Sequence, residues 1–164
     1  MKRKLAGAIA IVLCLAMPVT ATGQTTTPQN FVAGGISYNP GDATPIAGTG
    51  LYARAVTDSA GTYAFTIIDA IPTSYSPFTV VTNIGAGIAQ KVVTIGKVPI
   101  FMPTAAGISI NGDNTGWYWS SGALASIHLK GSWYLMPNLR FAKSSVNDSS
   151  GYQVIAGLLV AFGK

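Results

Sequence analysis

The segment 152–162 near the end of the chain constrains the fold more than any other. Its alternate residues form two sets, as the side chains of a β-strand do. One set is bulky and apolar, beginning with Tyr152 and ending with Phe162, while the other is smaller and includes Gln153 and Gly157. A strand of about ten residues with aromatic ends suits a tilted crossing of a bilayer. A soluble strand of this kind would instead hide its apolar face in a core, so the choice between these two structures decides the function.

The first 23 residues have the parts of a secretory signal peptide. Three basic residues precede an apolar run at residues 5–17, and small residues allow cleavage after Ala21 or Gly23. The apolar run is shorter than the roughly 18 residues of a spanning helix. Cleavage removes the only cysteine, Cys14. The sequence thus predicts a signal peptide (1–23), a flexible leader (24–30) and a β-barrel domain (31–164).

The composition lacks the charged surface of an ordinary soluble domain. Charged residues make up 9% of the chain and Glu is absent, whereas soluble domains carry roughly 25% charged residues. After cleavage, seven basic residues against five acidic ones leave a net charge of +2, so we expect no nucleic-acid partner. No later segment reads as a membrane helix. In a membrane, such a chain must form a closed barrel, because lipid cannot satisfy an open sheet edge.

Runs that suit β-strands alternate with turn residues from Phe31 onward. There are eight of them: 31–38, 50–57, 62–69, 78–95, 100–110, 117–134, 139–145 and 152–162. The links after the second, fourth and sixth runs are short turns at Asp58, Lys97 and Pro137, and the others, including 72–77, are mostly longer. Short periplasmic turns and longer outside loops are typical of outer-membrane barrels. The predicted fold is therefore an all-β, eight-stranded antiparallel up-and-down transmembrane β-barrel in the bacterial outer membrane.

The sixth run separates an apolar face from a polar one. Tryptophans stand at both ends of the apolar face, and most of the hydroxyls lie on the other. Indole rings prefer the two membrane interfaces, whereas a soluble core does not require them there. We predict a girdle of aromatic side chains: Trp117, Trp119, Trp133, Tyr152 and Phe162.

The polar faces predict what fills the barrel. An eight-stranded barrel is narrow and packed with side chains, so we expect a polar lumen and no open channel. The predicted lumen cluster is Arg54, Ser126, His128, Lys130 and Arg140. The same alternation points Leu51 of the second run and Tyr63 and Phe65 of the third toward lipid. It also puts Asp69 on the outward face, near an interface.

Residues 132–162 resemble the closing hairpin of small bacterial outer-membrane β-barrel proteins of the opacity type. A strand over 132–141, with a turn at Pro137 and Asn138, precedes a terminal strand that ends in Phe162. The resemblance implies that the barrel-assembly machinery reads this terminal strand. Here Gly163 and Lys164 follow the aromatic residue, at which the family usually ends. Membrane lipid and lipopolysaccharide are the other partners that we expect.

A second resemblance supports an alternative. Residues 45–48 and 56–65 look like the carboxypeptidase-regulatory-like β-sandwich of secreted and surface bacterial proteins. The shared feature is a hairpin with an Asp-x-x-Gly turn, here Asp58 to Gly61. The alternative to the barrel is therefore a soluble secreted β-sandwich binding module.

The sequence offers little for catalysis. His128 is the only histidine and no Gly-x-Ser-x-Gly elbow is present. The turn at 111–114 lacks the closing Glu of a calcium loop. We expect no enzyme activity, no metal and no cofactor. The predicted role is structural or interactive, through outside loops near Asp42, Ser74, Asp113 and Asp148.

Overall fold

A computed structural model describes residues 28–38, 46–56, 61–75, 78–146 and 153–164. The signal peptide, most of the leader and Tyr152 lie outside the described residues. None of the described residues belongs to a helix that is long and apolar enough to span a bilayer. The strands are β1 (Asn30–Tyr38), β2 (Ile46–Ala55), β3 (Thr62–Tyr75), β4 (Phe78–Ile95), β5 (Val98–Asn111), β6 (Asn114–Ala125), β7 (Ile127–His128), β8 (Trp133–Ser144) and β9 (Gln153–Gly163).

The strands close into a ring. Each of β1 to β5 pairs antiparallel with the next strand, β8 pairs with β9, and β1 pairs with β9. Both β6 and the two-residue β7 pair with β8, so they are two parts of one barrel strand and the ring has eight. The predicted all-β, eight-stranded barrel is confirmed. The soluble sandwich was wrong, because a sandwich would leave the first and last strands as separate edges.

The register offset that accumulates around the ring can be measured by following paired residues from strand to strand. The path begins at Phe31 and reaches β9 at Gln153, passing through Ala53, Phe65, Gly87, Ala105, Ser120 and Ala142. Phe31 itself pairs with Gly163. The offset is 163 − 153 = 10 residues, which is the shear of the barrel. Ten residues of shear over eight strands give a strand tilt of about 40°.

The turn predicted at Met136, Pro137 and Asn138 is wrong. These residues lie inside β8, where Pro137 pairs with Leu158. The chain turns instead at residues 129–132, where Gly131 has φ 60°. Proline is tolerated in β8 because it lies opposite the break between β6 and β7, where the partner strand is irregular. The predicted sixth run therefore contains one barrel strand, a turn and the start of the next strand.

The third link is shorter than predicted. Residues 72–75 belong to β3 and not to a loop, with Pro72 paired with Val80 and Tyr75 paired with Phe78. A register shift between Pro72 and Ser74 accommodates the proline. The predicted outside loop near Ser74 is thus strand, and two residues connect β3 to β4. The turn at Gly112 and Asp113 is equally short.

A belt of exposed apolar side chains surrounds the barrel. It includes Val32, Ile36, Tyr52, Ile68, Ile84, Ile88, Ile108, Leu139, Phe141, Leu158 and Val160. The alternate residues of the same strands are buried in the interior. A continuous apolar belt on a closed barrel is the surface that hydrocarbon covers.

Candidate functional site

An ion pair between Arg140 and Asp69 crosses the interior. Arg140 Nη2 donates to Asp69 Oδ1 at 2.8 Å and Arg140 Nη1 donates to Asp69 Oδ2 at 3.0 Å. Their strands, β8 and β3, lie four positions apart in the ring of eight, on opposite walls. Both side chains are buried, with 4% and 1% of their surface exposed. A bidentate arginine–carboxylate pair is among the stronger polar contacts in proteins, and this one links two opposite walls.

Hydroxyl groups complete the coordination of the Asp69 carboxylate. Tyr118 Oη donates to Oδ2 at 2.9 Å and Thr49 Oγ1 donates to Oδ1 at 2.8 Å. Ser37 and Thr49 share a further hydrogen bond of 2.8 Å. The carboxylate thus accepts four hydrogen bonds, two of them from the guanidinium. A buried charge requires this degree of compensation.

Three buried polar atoms in the described part of the chain have no hydrogen-bond partner. They are Asn83 Nδ2, Asn138 Nδ2 and Ser126 Oγ. The amide oxygen of Asn83 does have a partner, because Ser109 Oγ donates a hydrogen bond to Asn83 Oδ1 at 2.7 Å. Unpaired buried polar groups of this kind commonly bind water, and one of them, Ser126, lines a small cavity together with Phe31, Tyr63 and Phe101.

Aromatic rings occupy the interior toward the end of the barrel that carries the termini of the described barrel, Pro28 and Lys164. Tyr63 lies between Phe31 and Phe101, and each pair meets edge to face with ring centroids 5.5 Å apart. Tyr63 Oη donates to the Pro28 carbonyl oxygen at 2.6 Å. Pro28 is itself buried. Residues 28–30, which were assigned to the flexible leader, therefore include an anchored proline and the first residue of β1.

The predicted lumen cluster is dispersed. Arg140 and Ser126 are buried, with 3% of each residue exposed. Arg54 points outward from β2, and Lys130 is exposed in the turn after β7. His128 Nε2 lies 2.7 Å from the Gly131 carbonyl oxygen, and its ring centroid lies 5.1 Å from that of Tyr134, with the two ring planes tilted by 57°. Lys130 and His128 were misplaced because the predicted strand continued through a turn.

The outward assignment of β2 and β3 was inverted. Leu51, Tyr63 and Phe65 are buried in the interior, and Asp69 is 1% exposed instead of lying at an interface. The physical reason is that a narrow barrel fills its own lumen, so its largest apolar side chains point inward as readily as outward. Asp69 was predicted on the outward face, yet it carries the carboxylate of the interior ion pair. Its signal was available: it is the only acidic residue inside a predicted strand.

The aromatic girdle can be located for four of its five residues. Trp133 and Phe162 pack edge to face at 5.3 Å, near the end with the termini. Trp119 pairs with Lys143, ten residues after Trp133 along β8. At about 3.4 Å per residue and a tilt near 40°, this separates the two tryptophans by about 26 Å along the membrane normal. Trp117 is 51% exposed at the same end as Trp119, and Tyr152 lies outside the described residues.

Among the described residues, no three His, Cys, Asp or Glu side chains come together as metal ligands would.

No model of a known protein family matches this sequence, and no curated protein matches it. Solved structures do resemble the fold. The crystal structure of Ail, the attachment invasion locus protein of Yersinia pestis, matches with a TM-score of 0.54 and 10% identity, over 84% of this chain and 99% of that chain. The N-terminal β-barrel domain of Pseudomonas aeruginosa OprF matches with a TM-score of 0.53 and 12% identity, over 85% of this chain and 100% of that domain's chain.

At such identities the likeness concerns the fold. It agrees, together with the apolar belt, with the predicted location in the bacterial outer membrane. The chain therefore has the fold of the small eight-stranded outer-membrane β-barrels.

Proposed function

We propose that this protein is an outer-membrane barrel with a structural or surface-interaction role and without an open pore. The observation that carries the proposal is the Asp69–Arg140 pair, which joins opposite walls of the barrel at 2.8 Å. The aromatic group of Phe31, Tyr63 and Phe101 occupies the interior on the side of the termini. Ions would have to pass both obstacles in sequence.

The interaction surface would lie at the end opposite the termini. The links between β1 and β2 and between β8 and β9 are the long ones there, with seven and eight residues, and they contain Asp42 and Asp148. The strands β1 and β9 are neighbours in the ring, so both links leave the barrel on the same side. On the other side of this end, the links at 76–77 and 112–113 have only two residues each. A partner would therefore meet one acidic, polar corner and not a full ring of loops.

The assembly machinery is proposed as a partner during biogenesis. The terminal strand β9 presents Leu158, Val160 and Phe162 outward, with 40%, 47% and 53% of each residue exposed. The resemblance connects recognition by the assembly machinery with this terminal strand, which ends in Phe162 followed by Gly163 and Lys164.

Electrical conductance tests the absence of a pore. The protein is refolded into planar bilayers and into liposomes that contain sugars, with a known porin as the positive control. We expect no steady conductance steps and no sugar-driven swelling. Reproducible open-channel steps from the refolded protein would disprove the closed interior while leaving the fold untouched.

A further inference from the structure

We infer that the end of the barrel that carries both termini binds the headgroups of anionic phospholipids through a ring of exposed cations. This basic rim consists of Arg54, Lys91, Lys97, Lys130 and Lys164, and all five are exposed. The two acidic residues that the structure describes lie elsewhere, Asp69 in the lumen and Asp113 at the opposite end. Asp58, in the segment between β2 and β3 that lies outside the described residues, adds one acidic residue against these five cations. The inference requires the barrel to lie in a bilayer but is independent of whether it has a pore.

Three of these cations are close neighbours along the rim. Lys130 lies in the turn whose Ser132 carbonyl oxygen accepts a hydrogen bond of 2.9 Å from Gly163 N. The next residue, Lys164, exchanges two backbone hydrogen bonds with Asn30, at 3.1 and 2.9 Å. Asn30 in turn pairs with Arg54 across β1 and β2. Adjacent strands thus hold three positive charges at one level, with Trp133 of the aromatic girdle beside Lys130.

The β4–β5 hairpin continues the rim beyond the barrel wall. The pairing of β3 with β4 ends at Gln90, whereas β4 and β5 stay paired until Ile95 and Val98. In the projecting part, Val92, Val93 and Ile95 are 55%, 49% and 67% exposed. Lys91 and Lys97 flank these apolar residues. This segment presents apolar and cationic groups together, and β3 no longer pairs with it.

Apolar residues between cations favour a lipid surface over a soluble acidic polymer. The apolar side chains can enter the boundary between headgroups and acyl chains, while the lysines reach the phosphates. A soluble polyanion would satisfy the charges but leave the valines in water. Each cation near an anionic surface adds to the attraction, which is screened beyond a Debye length of about 8 Å at physiological salt. The rim therefore selects anionic phospholipid among the lipids of the leaflet that it touches.

Quenching of tryptophan fluorescence by brominated lipids measures this selection at each end separately. A variant with Trp117→Phe and Trp119→Phe keeps only Trp133, beside the rim. It is refolded into vesicles of phosphatidylcholine in which either phosphatidylcholine or phosphatidylglycerol is brominated. At low salt we expect the relative binding constant for phosphatidylglycerol to be about threefold that for phosphatidylcholine, falling toward one in 0.5 M salt.

Three further variants test whether the preference belongs to the basic rim. The Trp133→Phe variant reports the opposite end through Trp117 and Trp119 and is expected to show no preference. On the Trp133-only background, replacing Arg54, Lys130 and Lys164 by Gln should abolish the preference that Trp133 reports, because these three cations lie nearest to it. The replacement Lys143→Gln at the far end should leave that preference unchanged. Heat-modifiable gel migration shows that each variant is folded.

Four results would overturn the inference. One is equal quenching of Trp133 by the two brominated lipids, and another is a preference that survives the triple replacement. Polyglutamate binding by the inserted protein, with no lipid preference, would assign the rim to a soluble polymer. If neither brominated lipid quenches Trp133, the barrel does not lie in the bilayer, and the proposed membrane role fails with it.

Discussion

Asp69 and Arg140 stand 71 residues apart in the chain and form a two-pronged ion pair across the whole width of the barrel. The pair holds β3 to β8, which share no backbone pairing. Tyr118 and Thr49 donate the remaining hydrogen bonds to the carboxylate. The ion pair therefore links two opposite walls of the barrel. Each of its two buried charges is neutralised by the other.

Removal of one partner should destabilise the barrel more than removal of both. The single replacement Asp69→Leu leaves a buried guanidinium without its counter-charge, and we expect the free energy of unfolding to fall by about 3–5 kcal/mol. The double variant Asp69→Leu/Arg140→Met leaves no buried charge, so it should lose less than the single variant does. Urea unfolding in lipid vesicles, followed by tryptophan fluorescence, measures both. Additive losses from the two single replacements would show that the charges act independently.

The sequence predicted the number and closure of the strands because these depend on features visible in one dimension. Segments of strand length between turn residues can be recognised without knowing which strands pair. The same holds for the alternation of apolar side chains in β9. In β8, Arg140 was predicted to face the lumen, and its neighbours Leu139 and Phe141 accordingly face outward, at 41% and 49% exposure. The intervening Arg140 left only one sensible orientation for that strand.

The facing of β3 was not readable in the same way. Tyr63, Phe65 and Ile67 alternate with Ala64, Thr66 and Ile68, so neither face is polar. In a membrane barrel both lipid and the lumen accept apolar side chains, and amphipathicity then carries little information. The decisive residue was Asp69, because a carboxylate belongs in hydrocarbon only when it faces inward and has a partner. That partner, Arg140, lies on β8, and the sequence does not show which residues meet across the lumen.

Closure of the seam between β1 and β9 makes different demands on two neighbouring glycines. A Cβ atom on Gly35 would collide with the carbonyl oxygen of Leu158, whereas one on Gly34 would have nothing within 4 Å. Gly35→Val should therefore lower the free energy of unfolding by about 1–3 kcal/mol, as overpacking does. Gly34→Val points toward lipid and should be neutral or slightly stabilising. Urea midpoints and the yield of the heat-modifiable form compare the two variants, and equal behaviour would contradict the close approach at the seam.

The apolar belt predicts that the cost of placing an arginine on the outer surface depends on its depth in the membrane. Replacing Ile127 or Ser126 by arginine would not compare the two faces, because both residues are buried, at 6% and 3% exposure. Ile68 and Val32 make a better pair, since they are 51% and 60% exposed on the outer surface.

Ile68 lies in the middle of β3, paired with Gly50 and Ile84, whereas Val32 pairs with Phe162 of the girdle. An arginine at the midplane costs about 2–4 kcal/mol, and one near an interface costs about 0–1 kcal/mol, because it can reach the headgroups. Ile68→Arg should therefore reduce the free energy of unfolding in lipid vesicles far more than Val32→Arg does. The difference should shrink in detergent micelles, whose apolar layer deforms more readily. Equal losses in vesicles would mean that these two sites meet the same solvent, and the belt could not then be the surface that hydrocarbon covers.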